Sequence, residues 1–595
     1  MTQHYKDASP ADTVHRIRDI LHRHDLPAYE RDWIQTGKGF YSLSLLIGDT
    51  PLRTNGKGIS QALSQASAYG EMMERMENMS VFRLVYDFPE EVWQSLGFCI
   101  APDEVYHSKE ALLANPSPWL RHQLSTVRED IDINDLMNVW HGTQRTPSHP
   151  DFLCLPFYHV NDGTVDDLPL CMISKLYTSN GMCGGNSKAE ALVQGLCEIY
   201  ERYTNIRLLE ENLTPPDIPM EEILAVPTLR RMVEEITSIG QYDFTFKDCS
   251  LGKGLPVVAV VCVDRTSGQY FVKFGSSPLF EIAIERTLTE LLQGQSLEKM
   301  KGMRHFTYDT EEKNPRHNTM GILVNGCGDY PPSFFAGEPS YDHKPFNNTP
   351  FISNEATLQS MLDDAMGRGW DIYIRDVSFL GFPAYQVIIP GMSEVEFFDD
   401  IVSYKDYGLF NQIKADIRRL HTLSSDEVAQ LAKQIESTLP ETNIPVTQWM
   451  NHLCDDPPWI YQNTNWLLTA LYCSNEDYAS AQKAWRRFLI MHHATTNPPS
   501  NYYLCVDAYL GLRAAGYAVP MVKEVLTTFY SQDMVHLVHS EFGNIDLTAK
   551  PLVLRCFDCK HCPYVTSCRQ PSLEKAYKKL KDLEKCNPID QNNFM

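Results

Sequence analysis

The pattern of apolar and polar positions changes character once along this chain. Through about residue 400 it mixes two periods, one of strands and one of helices. Phe40 to Ile47 alternates, as a strand with one buried face does. Ser60 to Phe82 carries a helical pattern entered through a glycine loop, Thr54-Asn55-Gly56-Lys57-Gly58. Ser187 to Leu209 repeats the arrangement after Ser179-Asn180-Gly181. Leu255 to Asp264 is a continuous apolar run, predicted as a buried strand, with Tyr270 to Phe274 as its hairpin partner. Phe280 to Gln293 is helical again, and Tyr373 to Ile389 holds two strand-like runs separated by Gly381 and Pro383. Two stretches interrupt the pattern. Thr143 to Pro150 is polar with two prolines, and Tyr330 to Pro350, rich in Pro, Gly, Ser and Asn, is predicted as a surface excursion.

After about Tyr404 only helical stripes remain. Ser424-x-x-Glu427 reads as a capping box that opens a helix ending before Pro440. Further helices are predicted at Thr464–Cys473, Asp477–His492, Tyr502–Gly516 and Val519–Ser531. Trp466, Leu467, Ala470 and Leu471 give the first an apolar stripe, and Tyr478, Ala481, Trp485 and Leu489 the second. Antiparallel pairs with short turns resemble tetratricopeptide packing. The predicted organisation is therefore an α/β domain over residues 1–404, an all-α TPR-like domain over 405–545, and a cysteine-rich tail over 546–595.

Composition narrows the function. The chain has 595 residues, enough to bury a large core, and is 43% apolar and 22% charged, as ordinary soluble proteins are. No stretch approaches the ~20 apolar residues that span a bilayer, and the first residues lack the apolar segment of a secretory signal. A cytoplasmic protein with no membrane contact is expected. The net charge of −24 argues against nucleic acid as a direct ligand, because a phosphate-backbone binder needs a basic face. Most of the 16 cysteines sit singly inside apolar runs, as Cys262 does, and read as small buried hydrophobes.

The candidate chemistry lies in three acidic helical signatures: Glu71-Met72-Met73-Glu74-Arg75, Glu198-Ile199-Tyr200-Glu201-Arg202 and Arg286-Thr287-Leu288-Thr289-Glu290. Residues three or four apart share a helix face, so Glu71 and Glu74 project together, as do Glu198 and Glu201, with Glu190 about two turns before Glu198. Mg2+ takes oxygen ligands, and carboxylates on separate helices can hold several ions along a polyphosphate. Arg75, Arg202 and Arg286 can meet phosphate oxygens bidentately, and Lys57 adds a point charge. The Asn-Gly loops are expected to present backbone N–H groups at helix starts. A single Glu-x-x-Glu-Arg is common on solvated helices. Two copies behind matching loops also suggest an internal duplication. The P-loop motif is absent.

At these residues the chain resembles YcaO proteins. The first family signature is Ser67-Ala68-Tyr69-Gly70-Glu71-Met72-Met73-Glu74-Arg75. The second runs from Ser179 through Asn186 and Glu190 to Gln194, Glu198, Glu201 and Arg202. The third is Phe274-Gly275-Ser276-Ser277-Pro278 followed by Arg286, Glu290 and Gln293. The resemblance covers most of residues 1–391. It implies an ATP-binding α/β fold unrelated to the P-loop. It implies nucleotide contacts from Ser67, Glu71, Glu74, Asn186, Glu190, Gln194, Glu198, Glu201, Arg202, Arg286 and Glu290, with Lys6, Thr13 and Arg16 resembling a Lys/Ser/Arg trio of the same site. It implies Mg2+ ligation by Glu71, Glu74, Glu190, Glu198, Glu201 and Glu290. The implied reaction activates a peptide backbone amide: a nucleophile adds to the carbonyl carbon, and the resulting oxygen is phosphorylated by ATP and eliminated as phosphate. Homodimers are common in the family.

Within the family, the chain lacks the Pro-x-Pro-x-Pro end of azoline-forming members, since it closes Asp590-Gln591-Asn592-Asn593-Phe594-Met595. Its helical second half, its second motif and Ile389-Pro390-Gly391-Met392-Ser393 resemble the enterobacterial stand-alone branch. That branch is linked to β-methylthiolation of an aspartate in the twelfth small-subunit ribosomal protein, as accessory to a radical methylthiotransferase. A ribosomal protein and that enzyme are thus the implied partners. Ser276-Ser277 stands where the family commonly has Ala-His. Two other readings stay open: a nucleotide-binding adaptor without catalysis of its own, and a thioamide- or azoline-forming enzyme. The catalytic residue is unassigned.

Cys556-x-x-Cys559-x-x-Cys562-Pro563-x-x-x-x-Cys568 is a separate metal signal. Two residues between thiolates suit Zn2+ or an iron–sulfur cluster, with His561 as an alternative ligand.

Overall fold

The computed structural model of the chain describes all residues except 1–4, 87, 89, 145–148, 239, 293–301, 308–314, 326–327, 346–350, 439–444, 447–449, 451–452, 454–462, 494–499, 544, 546–558, 563 and 594–595. It divides into two units. The first comprises Met1–Tyr86, Trp93–Asp400 and Ala576–Met595, the second Asp87–Val92 and Ile401–Lys575.

The first unit is mixed α/β. Helix α1 (Pro10–Arg23) starts at Ser9, whose hydroxyl accepts from the Asp12 N–H, and has Pro10 in its first turn, where no amide donor is needed. Strands β1 (Ala28–Gln35), β2 (Tyr41–Ile47) and β3 (Arg53–Gly58) form an antiparallel sheet in that order. The predicted glycine loop is therefore a strand: Asn55 pairs with Ser44 and Gly56 with Leu43. Asn-Gly favours a turn. Here the glycine instead lets a helix approach, because a Cβ on Gly56 would stand 2.0 Å from the Ser64 carbonyl oxygen of α2 (Gln61–Glu77). The long helical pattern breaks at Met79, which has φ +50°, before a short helix at Ser80–Leu84.

Strands β4 (Val105–His107), β5 (Phe152–His159), β6 (Thr164–Pro169) and β7 (Met182–Gly184) open a second sheet, and helix α3 (Lys188–Glu210) follows. Strands β8 (Tyr242–Asp248), β9 (Val257–Asp264), β10 (Gln269–Ser276) and β11 (Arg304–His305) make a third sheet ordered β11-β10-β9-β8. Helices α4 (Phe280–Leu291) and α5 (Asn354–Gly367) come next. Strands β12 (Tyr373–Asp376) and β13 (Ala384–Ile388) then return to the second sheet, ordered β4-β5-β12-β13-β7, with β6 paired to β5.

The apolar run of β9 is explained by its two covered faces. Val258, Val260 and Cys262 pack with Ala283, Ile284 and Leu288 of α4. Val257, Ala259 and Val261 pack on the other side with Leu192, Leu196, Ile199 and Tyr200 of α3, as do Ile374 of β12 and Val387 of β13. Helix α3 thus lies between the second and third sheets, against β7, β13, β9 and β10. A helix covered on two sides shelters what lies between its apolar faces. Its polar row, Glu190, Gln194, Glu198 and Glu201, lies along the seam between those faces, with Glu190 buried and the other three half-buried.

The stretch from Tyr330 is anchored in the core at its start, while residues 336–340 are exposed as predicted. Tyr330 and Phe334 are buried in the same core, and the Tyr341 hydroxyl donates to the Asp248 carbonyl at 2.8 Å. Burying these aromatics outweighs the local Pro and Gly signals. Residues 346–350 of that stretch lie outside the described residues.

The second unit is helical: α6 (Ile401–Arg418), α7 (Ser425–Thr438), α8 (Thr464–Ser474), α9 (Tyr478–His493), α10 (Asn501–Ala514), α11 (Val519–Thr527) and α12 (Gln532–Phe542). The predicted capping box is present, since Ser424 N–H donates to the Glu427 carboxylate at 2.7 Å and Glu427 N–H donates to the Ser424 hydroxyl at 3.3 Å. The pattern Val519–Ser531 resolves as α11 and a turn into α12. Trp485, Tyr509, Leu471 and Val535 form its core.

Helix α13 (Gln570–Cys586) is not among the predicted elements, although Leu573, Ala576, Tyr577 and Leu580 recur at helical spacing. From Ala576 on it belongs to the first unit. There Tyr577 donates to the Cys99 carbonyl at 2.6 Å, and the buried Lys581 ammonium donates to the carbonyls of Trp93 and Phe98. Among the described residues no helix is long and apolar enough to cross a membrane. Cys99, Cys154, Cys171, Cys183, Cys197, Cys249, Cys262, Cys473 and Cys505 are buried thiols outside any disulfide, and burial pushes the Cys197 thiol up to about 11.

Candidate functional site

Three strand-to-helix junctions build the site. At each one a glycine closes the space between strand end and helix. Gly56 meets α2, Gly185 would place a Cβ 2.6 Å from the Ala191 nitrogen of α3, and Gly275 would place one 2.7 Å from the Ala283 oxygen of α4. Helix α2 packs on β3 and β7, α3 on β7 and β10, and α4 on β10 and β3. Shared strands therefore bring the three acidic helices together.

One group gathers at the start of α3. Glu190, 5% exposed, is held by three donors. The Lys6 ammonium reaches its Oε1 at 3.1 Å, the Asp7 N–H its Oε2 at 2.8 Å, and the Asn186 amide both oxygens at 3.1 Å. Thr13 donates to the Asn186 side-chain oxygen at 2.8 Å. Arg16 donates to the Asn186 carbonyl at 3.1 Å and to the Gly381 carbonyl at 2.8 Å. Lys6, Thr13 and Arg16 thus converge with Asn186 and Glu190 although more than 160 residues separate them, as the 170-residue gap from Arg16 to Asn186 illustrates.

A second group lies further along. Arg75 sits 3.7 Å from both Glu71 and Glu74, Arg202 is 3.2 Å from Glu198, and Lys57 of β3 is ion-paired with Glu290 of α4. Arg286 donates to the Ser276 carbonyl at 3.2 Å. Ser67 and Gln194 are half-buried on α2 and α3, and among the described residues no hydrogen bond ties either side chain to these groups.

The carboxylates disfavour one another's charge. Burial pushes Glu74 up to about 8, with Glu198 and Glu71 adding and Arg75 opposing. Burial also raises Glu71, where Arg75 and Lys57 oppose and Glu198 adds. Glu201 is raised by burial, with Arg286 opposing and Glu198 adding. Burial brings Lys57 down to about 8, against the pull of Glu71 and Glu201. A gathered row of oxygen donors with surplus negative charge is a donor set that fits a hard divalent cation. Among the described residues no three His, Cys, Asp or Glu side chains already converge on one point.

Sequence reasoning missed several neighbours. The Tyr5 phenol is raised by burial and then by Glu285. Asp7 and Asn354 hold the segment that carries Lys6. Buried Glu77 accepts the Leu380 N–H at 2.9 Å. Tyr5 and Asp7 could have been found as neighbours of Lys6, whereas nothing in the sequence signals Asn354. Of the tail thiols, Cys559, Cys562 and Cys568 are half-buried around two short turns, and Cys556 lies outside the described residues.

A family model for YcaO cyclodehydratase, described as ATP- and Mg2+-binding, matches residues 55–393. The chain is 30% identical over 408 residues to the Escherichia coli ribosomal protein S12 methylthiotransferase accessory factor YcaO, covering 66% of this chain and 67% of that protein. Among solved structures it is similar to a heterocyclase in complex with substrate and cofactor, at 17% identity and TM-score 0.47, over 66% of this chain and 53% of that one, so it spans about half of that heterocyclase's length. It is also similar to YcaO from Methanopyrus kandleri bound with AMPPCP and Mg2+, at 16% identity and TM-score 0.42, over 65% of this chain and 92% of that one.

Proposed function

The chain belongs to the YcaO family, and from that premise we propose that it binds ATP with Mg2+ and activates a peptide or protein backbone amide by phosphorylating its oxygen. The observation that carries the proposal is the gathered row of carboxylates, with Glu71, Glu74 and Glu201 each raised by burial and by the charge of Glu198. Glu71, Glu74, Glu190, Glu198, Glu201 and Glu290 would hold Mg2+, which supplies charge neutralisation for phosphoryl transfer. Lys6, Thr13, Arg16, Ser67, Asn186, Gln194, Arg202 and Arg286 would hold the nucleotide. The guanidinium groups offer paired donors to phosphate oxygens, and Asn186 and Thr13 orient the start of α3. Partial burial lowers the local dielectric around the row and strengthens each of these interactions.

The relative named as an accessory factor supports a finer assignment, to β-methylthiolation of an aspartate in the twelfth small-subunit ribosomal protein, with a radical methylthiotransferase as partner. The same reading takes residues 1–404 as the nucleotide domain, 405–545 as a TPR-like docking domain, and the chain as a cytoplasmic homodimer. Cys556, Cys559, Cys562 and Cys568 are taken as ligands for Zn2+ or an iron–sulfur cluster, which metal analysis of the Cys559→Ser protein would check.

The central test is calorimetric titration of ATP with Mg2+. Glu198→Gln combined with Glu201→Gln should weaken binding about 100-fold. Unchanged affinity would remove the site assignment. For the ribosomal role, mass spectrometry of ribosomal proteins from cells with and without the gene should show loss of methylthio-aspartate, and an unchanged level would sink that role.

A further inference from the structure

Asn354 is the first residue of α5 and is 4% exposed. It is not needed as a helix cap, because the Ser353 hydroxyl already accepts from the Ala356 N–H. A buried primary amide is costly unless its donors are used. Both go to one short segment: Asn354 Nδ2 donates to the Tyr5 carbonyl at 3.0 Å and to Asp7 Oδ1 at 2.8 Å. The other oxygen of Asp7 accepts the Ser187 hydroxyl, and Ser187 is the N-cap of α3. The Asp7 carboxylate thus staples α5 to α3. Between these two anchors lies Lys6, whose ammonium rests on Glu190.

Resting on the nucleotide reading above, we infer that Asn354 is a positioning residue for ATP: it fixes the Tyr5–Asp7 segment as a latch that holds Lys6 over the start of α3, ready to pass from Glu190 to a phosphate oxygen. Lysine is a flexible point charge whose long stem is entropically expensive to order. A two-point clamp on the residues before and after it lowers that cost before the ligand arrives. The Asp7 N–H and the Asn186 amide keep hold of Glu190 while Lys6 moves.

The test uses the full chain and AMPPCP with Mg2+ as the titrant. Asn354→Ala should weaken binding about tenfold, and Asn354→Asp, which turns a donor into an anion facing Asp7, should weaken it further. Lys6→Ala should also cost about tenfold, and the Asn354→Ala/Lys6→Ala double variant should bind within about twofold of Lys6→Ala alone, because the clamp acts through that lysine. Hydrogen exchange at the Asp7 amide should accelerate in the ligand-free Asn354 variants, while the amides of β9 keep their protection. An Asn354→Ala protein that binds as the parent does, with Asp7 exchange accelerated, would overturn the inference and leave the nucleotide reading standing. Full additivity of the two substitutions would overturn it as well. A parent protein that does not bind AMPPCP with Mg2+ would remove both.

Discussion

Lys57 and Glu290 form an ion pair across 233 residues of sequence, joining β3 to α4 at the edge of the carboxylate row. The pair is only partly exposed, at 24% and 33% of the side chains. It ties the strand that precedes the first acidic helix to the third, while the Lys57 charge also acts on Glu71 of the first and Glu201 of the second. Lys57→Met and Glu290→Met should each destabilise the protein, and their double-mutant cycle in urea should show a coupling of about 1 kcal/mol. Strict additivity would show that the pair contributes nothing to the fold.

Glu74 has its carboxyl pushed from an ordinary 4.5 to about 8 by burial. Between those values the folded protein keeps a proton that the unfolded chain has released. Its stability contribution is therefore full below about pH 4.5 and is lost as pH rises through 8. Without divalent cations, the thermal midpoint should fall from pH 6 to pH 8.5, and Glu74→Gln should flatten that slope. Mg2+ favours the ionised carboxylates, so its addition should raise the midpoint more at pH 8.5 than at pH 6. A midpoint insensitive to both pH and Mg2+ would contradict the placement of Glu74.

Gly56 and Gly70 make a matched pair on β3 and α2. A Cβ at Gly56 would meet the Ser64 oxygen at 2.0 Å and the Ala68 nitrogen at 2.6 Å, both backbone atoms that cannot turn aside. Gly56→Ala should cost about 3 kcal/mol or more. At Gly70 nothing lies within 4 Å of an added Cβ, so Gly70→Ala should stabilise by about 0.5–1 kcal/mol through helix propensity. Thermal unfolding of the two variants should shift in opposite directions.

Ser424 and Glu427 cap α7 reciprocally. Ser424→Ala should remove about 1 kcal/mol from the second unit, and Glu427→Ala a similar amount. Denaturation followed by far-UV dichroism would check both, and a neutral Ser424→Ala would show the box to be incidental.

Much of the architecture was legible from local signals. The alternation at Phe40–Ile47, the apolar run at Leu255–Asp264 and the capping box at Ser424 report nearest-neighbour physics, and each reappears as an element near the predicted bounds. The failures have a common cause. Asn55-Gly56 reads locally as a loop at a helix start, but its partner strand and covering helix make it the close-packed end of β3. Tyr330 and Phe334 were read as surface because Pro and Gly surround them, but their rings found a core.

The sequence by itself determined which residues carry charge, how glutamates and arginines repeat at helical spacing, and which family that pattern resembles. Spacing along a helix is fixed by the backbone, so those relations survive without tertiary knowledge. Only the tertiary structure decided that α3 lies between two sheets, that burial with the charge of Glu198 nearby raises Glu201 on α3 and Glu74 on α2, and that Lys57 meets Glu290. It alone placed Asn354 against Tyr5 and Asp7, 349 and 347 residues away. Burial and long-range pairing depend on where apolar faces meet, and no local stretch of the chain contains that information.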